Sequence, residues 1–275
     1  MSVIKILLVD GFNLIRRIFE ANHRDEADIS ACVESCGRSL GRALLTHHPS
    51  HAVVVLESHQ KTWRHLLYPA YKGDRKPTPE VLLDNLDAFI EVFQSLGVPS
   101  IKVDGYEADD VVSTLAVGVA NNGGEAIILS TDKGFLSLLN DRIKVYHHFE
   151  QRFVTSADVL EKFDLGVDQL LDYWSLCGDP GNNIKGVPGV GKKTSVQLLQ
   201  EFGGLEEILG KAKEMAIEDF EVEPDVPKSP WESFRKPLAR VLKHEQEALA
   251  CRLLVTPKID VELGVNLKMF RRPKG

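Results

Sequence analysis

The stretch Val3-Ile-Lys-Ile-Leu-Leu-Val-Asp10 decides the fold. A near-continuous apolar run is typical of a strand buried on both faces of a parallel sheet, and this one stops at an acid. Residues 52–57 and 126–132 repeat the pattern, and a segment of helical character over 29–46 separates the first two runs. The chain is therefore predicted to be an α/β protein with a central, mostly parallel sheet flanked by helices.

Each predicted strand has an acidic residue at or just after its carboxyl end. Ligands of open α/β sheets bind outside those ends, so the acids are expected along one rim. The stretch Gly105-Tyr-Glu-Ala-Asp-Asp110 adds three more in the first turn of a predicted helix, which follows a short strand near 98–103. The six acids are Asp10, Glu57, Glu107, Asp109, Asp110 and Asp132.

Two interpretations of these acids are open. A single acid at a strand end is commonly a solvated turn residue, and acids in a first helical turn are stabilised by the helix dipole without any ligand. Glu107 and Asp110, however, are i, i+3 neighbours on one helix face, where like charges repel unless a cation lies between them. Six carboxylates on one rim are costly for the same reason, which favours a metal site.

Composition excludes several other classes. The chain has 275 residues, 43% of them hydrophobic, and a net charge of −7, as expected for a globular protein of one large or two modest domains. No run resembles a signal peptide or a membrane span, and four cysteines are too few for a disulfide framework, so a cytoplasmic protein is expected. Positive charge is concentrated at 61–76, 185–193 and 271–274. Contacts to nucleic acid are expected there and not over the whole surface.

The organisation changes near residue 156, where the strand pattern gives way to helical spacing. We predict an α/β core over 1–155 and a helical subdomain over 156–256, followed by a tail at 257–275. Residues 219–230 are acidic and Pro-rich and predict a surface loop. A helix is expected over roughly 80–96 in the core, and the subdomain helices are expected at 156–163, 168–177, 192–202, 205–213 and 232–250.

The glycine-rich stretch Gly186-Val-Pro-Gly-Val-Gly-Lys-Lys-Thr194 nearly matches the phosphate-binding loop of nucleotide hydrolases. Lys193 stands where a hydroxyl must reach magnesium, and no buried strand precedes the stretch, so a nucleotide cofactor is not expected. A helix-hairpin-helix over about 170–202 is the better interpretation. Gly189 and Gly191 are expected to permit its tight turn. Main-chain amides there would bind a DNA phosphate without regard to sequence, and the stretch concerned comprises Gly189, Val190, Gly191, Lys192, Lys193 and Thr194.

Five motifs occur in a fixed order: Asp10-Gly-Phe-Asn13, Tyr71-Lys72-x-x-Arg75, Glu107-Ala-Asp-Asp110, Ser130-Thr-Asp-Lys133 and Gly178-Asp-Pro-Gly-Asn-Asn-Ile-Lys-Gly-Val-Pro-Gly-Val-Gly191. Together they resemble the bacterial 5′-nuclease/flap endonuclease family. Among its members the free-standing exonuclease IX proteins are the closer likeness, with no polymerase domain expected after the nuclease. The resemblance implies a PIN-like nuclease core that binds branched, nicked or 5′-flapped DNA. It also implies a monomer that cleaves phosphodiester bonds with magnesium, for which manganese can substitute.

The resemblance further implies roles for individual residues. A first metal site would involve the five acids from Asp10 to Asp110, with Asp132 shared between two sites and Asp179 in the second. Lys72 and Arg75 would engage the scissile phosphate at the base of a short helical arch, about 71–96. A potassium ion would be held by main-chain oxygens of Leu176, Cys177, Lys185, Val187 and Val190.

The chain departs from the family pattern at three positions. Glu57 replaces the usual Asp, and Gly134 and Asn182 stand where relatives carry Asp. The second metal is therefore expected to bind weakly and the first tightly. The alternative hypothesis is a non-catalytic, structure-specific DNA-binding protein whose second metal site has decayed.

Overall fold

The computed structural model describes residues 3–22, 29–58, 60–218 and 231–273. The loop predicted over 219–230 lies outside the described residues. The chain forms two compact units. The first comprises Met1–Leu67, Lys76–Thr155 and Pro257–Gly275, and the second comprises Tyr68–Arg75 and Ser156–Thr256. No described helix has both the length and the apolar character needed to cross a membrane.

The first unit contains a six-stranded sheet. Its strands are β1 (Lys5–Asp10), β2 (His51–Val55), β3 (Ser100–Ile101), β4 (Glu125–Leu129), β5 (Ile143–His147) and β6 (Arg152–Val154). They lie in the order β3-β2-β1-β4-β5-β6, and all neighbours are parallel except β5 and β6, which pair antiparallel. The predicted α/β class with a mostly parallel sheet is therefore confirmed, and β5 and β6 are additions that the sequence pattern did not indicate.

Helices cover both faces of this sheet because alternate strand residues point to opposite sides. Leu7 and Val9 of β1 pack in one buried cluster with Phe89 and Phe93, whereas Ile6 and Leu8 pack in another with Val111 and Val112. The central strands are thus buried on both faces, as their unbroken apolar sequence predicts. The helices of the first unit are α1 (Gly11–Asn22), α2 (Ile29–His47), α3 (Trp63–Leu67), α4 (Glu80–Asp84), α5 (Leu86–Ser95) and α6 (Ala108–Asn121).

Two segments of the first unit differ from the sequence-based expectation. The helix expected over 80–96 is broken at Asn85, whose side-chain amide donates to the carbonyl of Val81 and so competes with the helical backbone. The described part of the predicted tail, residues 257–273, belongs to the first unit, since Phe270 is 1% exposed and packs in the cluster beneath α6. Its main chain also pairs with the start of β2, where Arg271 forms a bridge with His51.

The second unit is helical apart from a short antiparallel ribbon, β7 (Gly178–Asp179) and β8 (Ile184–Lys185). The segment 68–75 belongs to it because Tyr71, 4% exposed, packs with Ile184, Cys251 and Leu254. The single helix expected over 232–250 is two helices that break at His244. The helices are α7 (Ser156–Phe163), α8 (Leu170–Cys177), α9 (Lys192–Phe202), α10 (Leu205–Glu218), α11 (Arg235–Lys243) and α12 (Glu245–Val255).

Candidate active site

Asp10 lies at the point where the strand order of the first unit reverses. From β1 the chain adds β2 and β3 on one side and later adds β4 and β5 on the other. Such a switch point opens a crevice outside the carboxyl ends of the two central strands, β1 and β4. Asp10 is the last residue of β1, and residues 130–132 directly follow β4. The topology therefore places the acids that end these two strands on neighbouring positions of one rim.

Hydrogen bonds hold Asp10 in a fixed orientation. Its Oδ2 accepts a 2.9 Å bond from the Ser130 hydroxyl, and its Oδ1 accepts a 3.2 Å bond from the main-chain N–H of Asn13. The Ser130 hydroxyl oxygen in turn accepts from the main-chain N–H of Asp132 at 3.0 Å. Ser130 thus links the two acids, a role that its place in the motif did not reveal.

Asn13 orders the loop that carries Asp132. Its side-chain oxygen accepts bonds from both the main-chain N–H and the hydroxyl of Thr131, each 3.1 Å long. The same hydroxyl accepts from the guanidinium of Arg17, also on α1, at 3.1 Å. The Asp132 carboxylate then accepts from the Gly134 amide at 2.7 Å. Asn13 belongs to a sequence motif, but the motif alone does not indicate this supporting role.

Asp10, Glu57 and Asp132 influence one another electrostatically. Asp10 is buried, and this burial raises the pKa of its carboxyl from 3.8 to about 7. The hydrogen bond from Ser130 opposes the rise, and the negative charges of Asp132 and Glu57 add to it. Glu57 itself follows β2 and accepts a 3.4 Å bond from the main-chain amide of Ala108, at the start of α6. The ends of three strands therefore bring acidic side chains close enough to influence one another at the rim.

These acids fit a hard divalent cation by charge and by donor type. Carboxylate oxygens are the preferred ligands of Mg2+, and a cation would offset both the burial and the neighbouring negative charges that raise the pKa of Asp10. Within the described ranges, no group of three or more His, Cys, Asp or Glu side chains is arranged to hold a metal ion. The acids are thus suitable ligands for a divalent cation, but their side chains are not positioned around a single ion.

Glu107 and Asp110 are occupied by a protein cation, the guanidinium of Arg64. Arg64 Nη1 lies 2.8 Å from Glu107 Oε2 and 2.7 Å from Asp110 Oδ2, and Nη2 lies 2.9 Å from Asp110 Oδ1. All three residues are buried, with relative exposures of 4%, 2% and 0%. The cation required between these like charges is thus supplied by α3, 43 residues or more upstream.

Asp110 has further partners that fix it in place. The Trp63 indole N–H donates to its Oδ2 at 2.9 Å, and the main-chain N–H of Lys258 donates to its Oδ1 at 2.8 Å. Asp109, the residue before it, is half-buried in the first turn of α6. Asp110 therefore ties α6, α3 and the C-terminal segment together.

In the second unit, the main chain of Lys72 lies beside the residues around Asp179. Lys72 has a left-handed backbone with φ 53°, and its N–H donates to the carbonyl of Asn182 at 2.9 Å. The Asn182 side-chain amide donates to Asp179 Oδ2 at 2.6 Å, and Asp179 is 6% exposed. Arg75 donates its N–H to the Lys72 carbonyl at 3.0 Å, which closes the turn. This unit thus brings together the turn that bears Lys72 and Arg75 and the predicted second-site acid.

The glycine hairpin is confirmed as a turn between α8 and α9, but of the two glycines expected to permit it only Gly189 has a left-handed backbone. Gly189 has φ +75°, and Gly178 has φ +81°. A Cβ on Gly186 would lie 2.3 Å from the Gly178 amide nitrogen, which forbids any side chain there. Gly191, by contrast, has φ −92° and open space where a Cβ would project. The expectation that Gly191 needs a glycine conformation is wrong, because it is an extended N-cap residue.

The hairpin ends in two lysines at the start of α9, and its main-chain carbonyls take part in the turn. Lys192 begins α9, and both Lys192 and Lys193 are exposed in its first turn. The carbonyl of Leu176 accepts from the Val187 amide at 2.8 Å, and the carbonyl of Val187 accepts from the Val190 amide at 3.0 Å. Two of the carbonyls predicted to hold potassium therefore already accept one main-chain bond each.

Sequence comparison assigns the chain to a known family. Residues 5–164 match the 5′-3′ exonuclease N-terminal resolvase-like domain, and residues 165–274 match the 5′-3′ exonuclease C-terminal SAM fold. The chain belongs to the 5′-3′ exonuclease family, which makes it a nuclease of the hydrolase class.

Curated relatives extend along almost the whole chain. It is 36% identical over 270 residues to the flap endonuclease Xni of Psychromonas ingrahamii, which covers 97% of this chain and 96% of that protein. It is 37% identical over 270 residues to the flap endonuclease Xni of Cronobacter sakazakii, with 98% of each chain covered.

Solved structures share the fold at lower identity. T5 5′-exonuclease with bound zinc matches with a TM-score of 0.70 and 21% identity, covering 91% of this chain and 89% of that one. The catalytic core of Rad2 in complex with DNA substrate matches with a TM-score of 0.57 and 15% identity, covering 94% and 80%. The predicted resemblance to 5′-nucleases is confirmed at the level of family and fold.

Proposed function

We propose that the protein is a structure-specific flap endonuclease that hydrolyses phosphodiester bonds in 5′-flapped or otherwise branched DNA with the help of a divalent metal. The observation that carries the proposal is Asp10, a buried carboxylate at the switch point that is destabilised by the charges of Asp132 and Glu57. Its support comes from relatives named flap endonuclease that match over nearly the full length.

The metal proposed for this rim is Mg2+, with Mn2+ able to substitute. Asp10, Glu57, Asp109 and Asp132 would hold it, while Glu107 and Asp110 act from the outer layer because Arg64 already pairs with them. When bound, such an ion lowers the pKa of its water and stabilises the in-line transition state of phosphoryl transfer. The contribution of the chain is to hold the carboxylates in place through Ser130 and Asn13.

Lys72 and Arg75 are proposed to bind the scissile phosphate. The left-handed backbone of Lys72 and the bond from its N–H to Asn182 fix the turn that carries both side chains. A positive side chain at that phosphate offsets charge that develops during hydrolysis. Asp179 would serve a second, weaker metal site, since its neighbour Asn182 provides an amide where a second carboxylate would add charge.

The hairpin is proposed to hold the duplex part of the substrate. The first-turn amides of α9, from Lys192 to Thr194, and the two exposed lysines form an anion-binding helix start. A potassium ion bound by the carbonyls of Leu176, Cys177, Lys185, Val187 and Val190 would bring further positive charge to the same turn. Contacts of this kind recognise the phosphate backbone and leave the choice of substrate to DNA shape.

A panel of labelled substrates tests the proposal. Blunt duplex, nicked duplex, 5′-flap and single-stranded DNA are incubated with the protein in Mg2+ or in EDTA. The proposal expects cleavage near the flap junction in Mg2+ only, with the flap substrate cleaved fastest. Tight binding of the flap substrate without cleavage in either Mg2+ or Mn2+ would instead favour the non-catalytic DNA-binding alternative.

A further inference from the structure

The first unit carries a second concave site at the edge of its sheet opposite the acids. A pocket of about 600 Å³ lies where α2 ends and β2 begins, and the C-terminal segment 268–273 forms its other wall. Because β2 runs from His51 to Val55 before Glu57, the pocket lies at the amino end of the strand and the acids lie at its carboxyl end. The pocket is therefore separate from the candidate active site.

One wall of this pocket is positively charged. Lys268, Arg271 and Arg272 line it together with His48 and His51, and no Asp or Glu belongs to its described lining. In a protein with a net charge of −7, three permanent cations around a cavity with no lining acid indicate an anionic ligand. Arg271 and Arg272 of the C-terminal basic island that the sequence singled out thus lie away from the candidate active site.

Arg272 provides a second, independent indication. Its Nη1 is buried and has no hydrogen-bond partner in the described part of the chain. Burial lowers the pKa of this guanidinium, so its charge is held in an unfavourable environment. A buried charged donor without an acceptor is costly, and the residue that bears it also lines the pocket.

The main chain that carries Arg271 and Arg272 is fixed by contacts with the rest of the first unit. Phe270 is 1% exposed and anchors the segment in the core. Arg271 forms a bridge with His51, and the Arg272 N–H donates to the Ser50 carbonyl at 2.9 Å. A binding site whose main chain is fixed in advance loses less entropy when it binds its ligand.

The remaining wall of the pocket is apolar. Leu44, Leu45, Pro49 and Pro273 line it, and Leu45 is 72% exposed. A volume of about 600 Å³ lies within the usual range for small-ligand sites. We propose that this pocket binds a phosphate-bearing ligand of about mononucleotide size, with the phosphate against Lys268, Arg271 and Arg272 and the remainder against the apolar wall. The source of the phosphate is free phosphate, a nucleoside monophosphate or the end of a DNA strand.

Calorimetry on the full-length protein tests the site in EDTA, which keeps metal-bound phosphate out of the measurement. The probes are inorganic phosphate, a deoxynucleoside 5′-monophosphate and a short 5′-phosphorylated single strand. Lys268→Ala and Arg271→Ala each remove one cation from the pocket. Arg38→Ala is the matched control, because Arg38 is exposed on α2, belongs to the same unit and does not line the pocket. Circular dichroism verifies that each variant is folded.

The site predicts saturable binding of at least one probe, weakened about tenfold by either pocket variant and unchanged in Arg38→Ala, since a hydrogen bond to a charged group contributes this much. The probe that binds most tightly identifies the source of the phosphate. Absence of saturable binding by all three probes, or equal weakening by Arg38→Ala, overturns the site. Flap cleavage is measured in parallel: its failure in the wild type would contradict the proposed function and leave this inference intact.

Discussion

Arg64 and Asp110 form a buried bidentate pair, with guanidinium nitrogens 2.7 and 2.9 Å from the two carboxylate oxygens. Asp110 is 0% exposed and Arg64 is 4% exposed. Both charges are therefore out of water, and each depends on the other for its compensation. Because Glu107 shares the same guanidinium, this pair also sets the conformation at the start of α6, where Asp109 lies.

Replacement of Arg64 by Met should destabilise the protein strongly. The variant removes the guanidinium that pairs with two buried carboxylates, and the loss of one partner of a buried pair costs about 3–5 kcal/mol. Urea unfolding measures the change. Arg38→Ala removes an exposed pair with Glu34 and should cost at most about 1 kcal/mol. Equal losses in the two variants would show that the buried pair contributes no more than a surface one.

Loss of the Ser130 hydroxyl should weaken the metal site. Ser130→Ala removes the bond to Asp10 Oδ2 and leaves the Asp132 amide without its acceptor, so both acids lose orientation. We expect flap cleavage to require a several-fold higher Mg2+ concentration, with less change at saturating Mg2+. Ser95→Ala, which removes a hydroxyl at the end of α5, is the control. An unchanged Mg2+ dependence would mean that Ser130 does not position the acids.

Two glycines of the hairpin should respond in opposite ways. Gly189→Ala forces a side chain into the left-handed region and against the Arg240 guanidinium, 3.2 Å away, and should cost about 1–2 kcal/mol of stability together with nicked-duplex affinity. Gly191→Ala should be tolerated, since its φ is −92° and its Cβ would meet open space. Thermal unfolding and fluorescence anisotropy with nicked DNA measure both effects, and greater damage from Gly191→Ala would refute this assignment.

An additional carboxylate beside Asp179 should make the second unit sensitive to metal. Asn182→Asp replaces the amide that donates to Asp179 Oδ2 at 2.6 Å with a like charge. We expect a lower melting temperature in EDTA and recovery in Mg2+, together with tighter binding of the weaker ion. Asn183→Asp serves as the neighbouring control, because Asn183 bonds to the Ala70 carbonyl and not to an acid. A melting temperature unaffected by Mg2+ would argue against metal binding at Asp179.

Stability should fall below about pH 6.5 in part because of His148. It lies against Ser39 in the first unit, and burial, with Arg42 and His47 nearby, lowers the pKa of its imidazole. The unfolded state therefore binds the proton more readily, so the stabilising contribution is present above the unfolded pKa and is lost as pH falls. His148→Gln, which keeps a polar partner for Ser39 without titrating, should lose less stability between pH 7.5 and pH 5.5. Parallel losses would exclude His148 as a cause.

The sequence predicted most of what positions the site. Apolar runs that end in acids predicted β1, β2 and β4 and the rim on which Asp10, Glu57 and Asp132 lie. This was possible because a strand buried on both faces has a continuous apolar sequence. The pairing of Arg64 with Glu107 and Asp110 could not be predicted, since the partners are 43 and 46 residues apart and no local pattern links them. For the same reason the sequence did not indicate that residues 68–75 belong to the helical unit.

Single-turnover cleavage of a 5′-flap substrate by the wild type and by Asp10→Asn tests the central claim most directly. The variant should fold, because burial and the neighbouring acids already disfavour the charge that it removes. The account predicts Mg2+-dependent cleavage near the flap junction by the wild type and a loss of at least about a hundredfold in Asp10→Asn, with flap affinity retained. Cleavage at the wild-type rate by folded Asp10→Asn would contradict it.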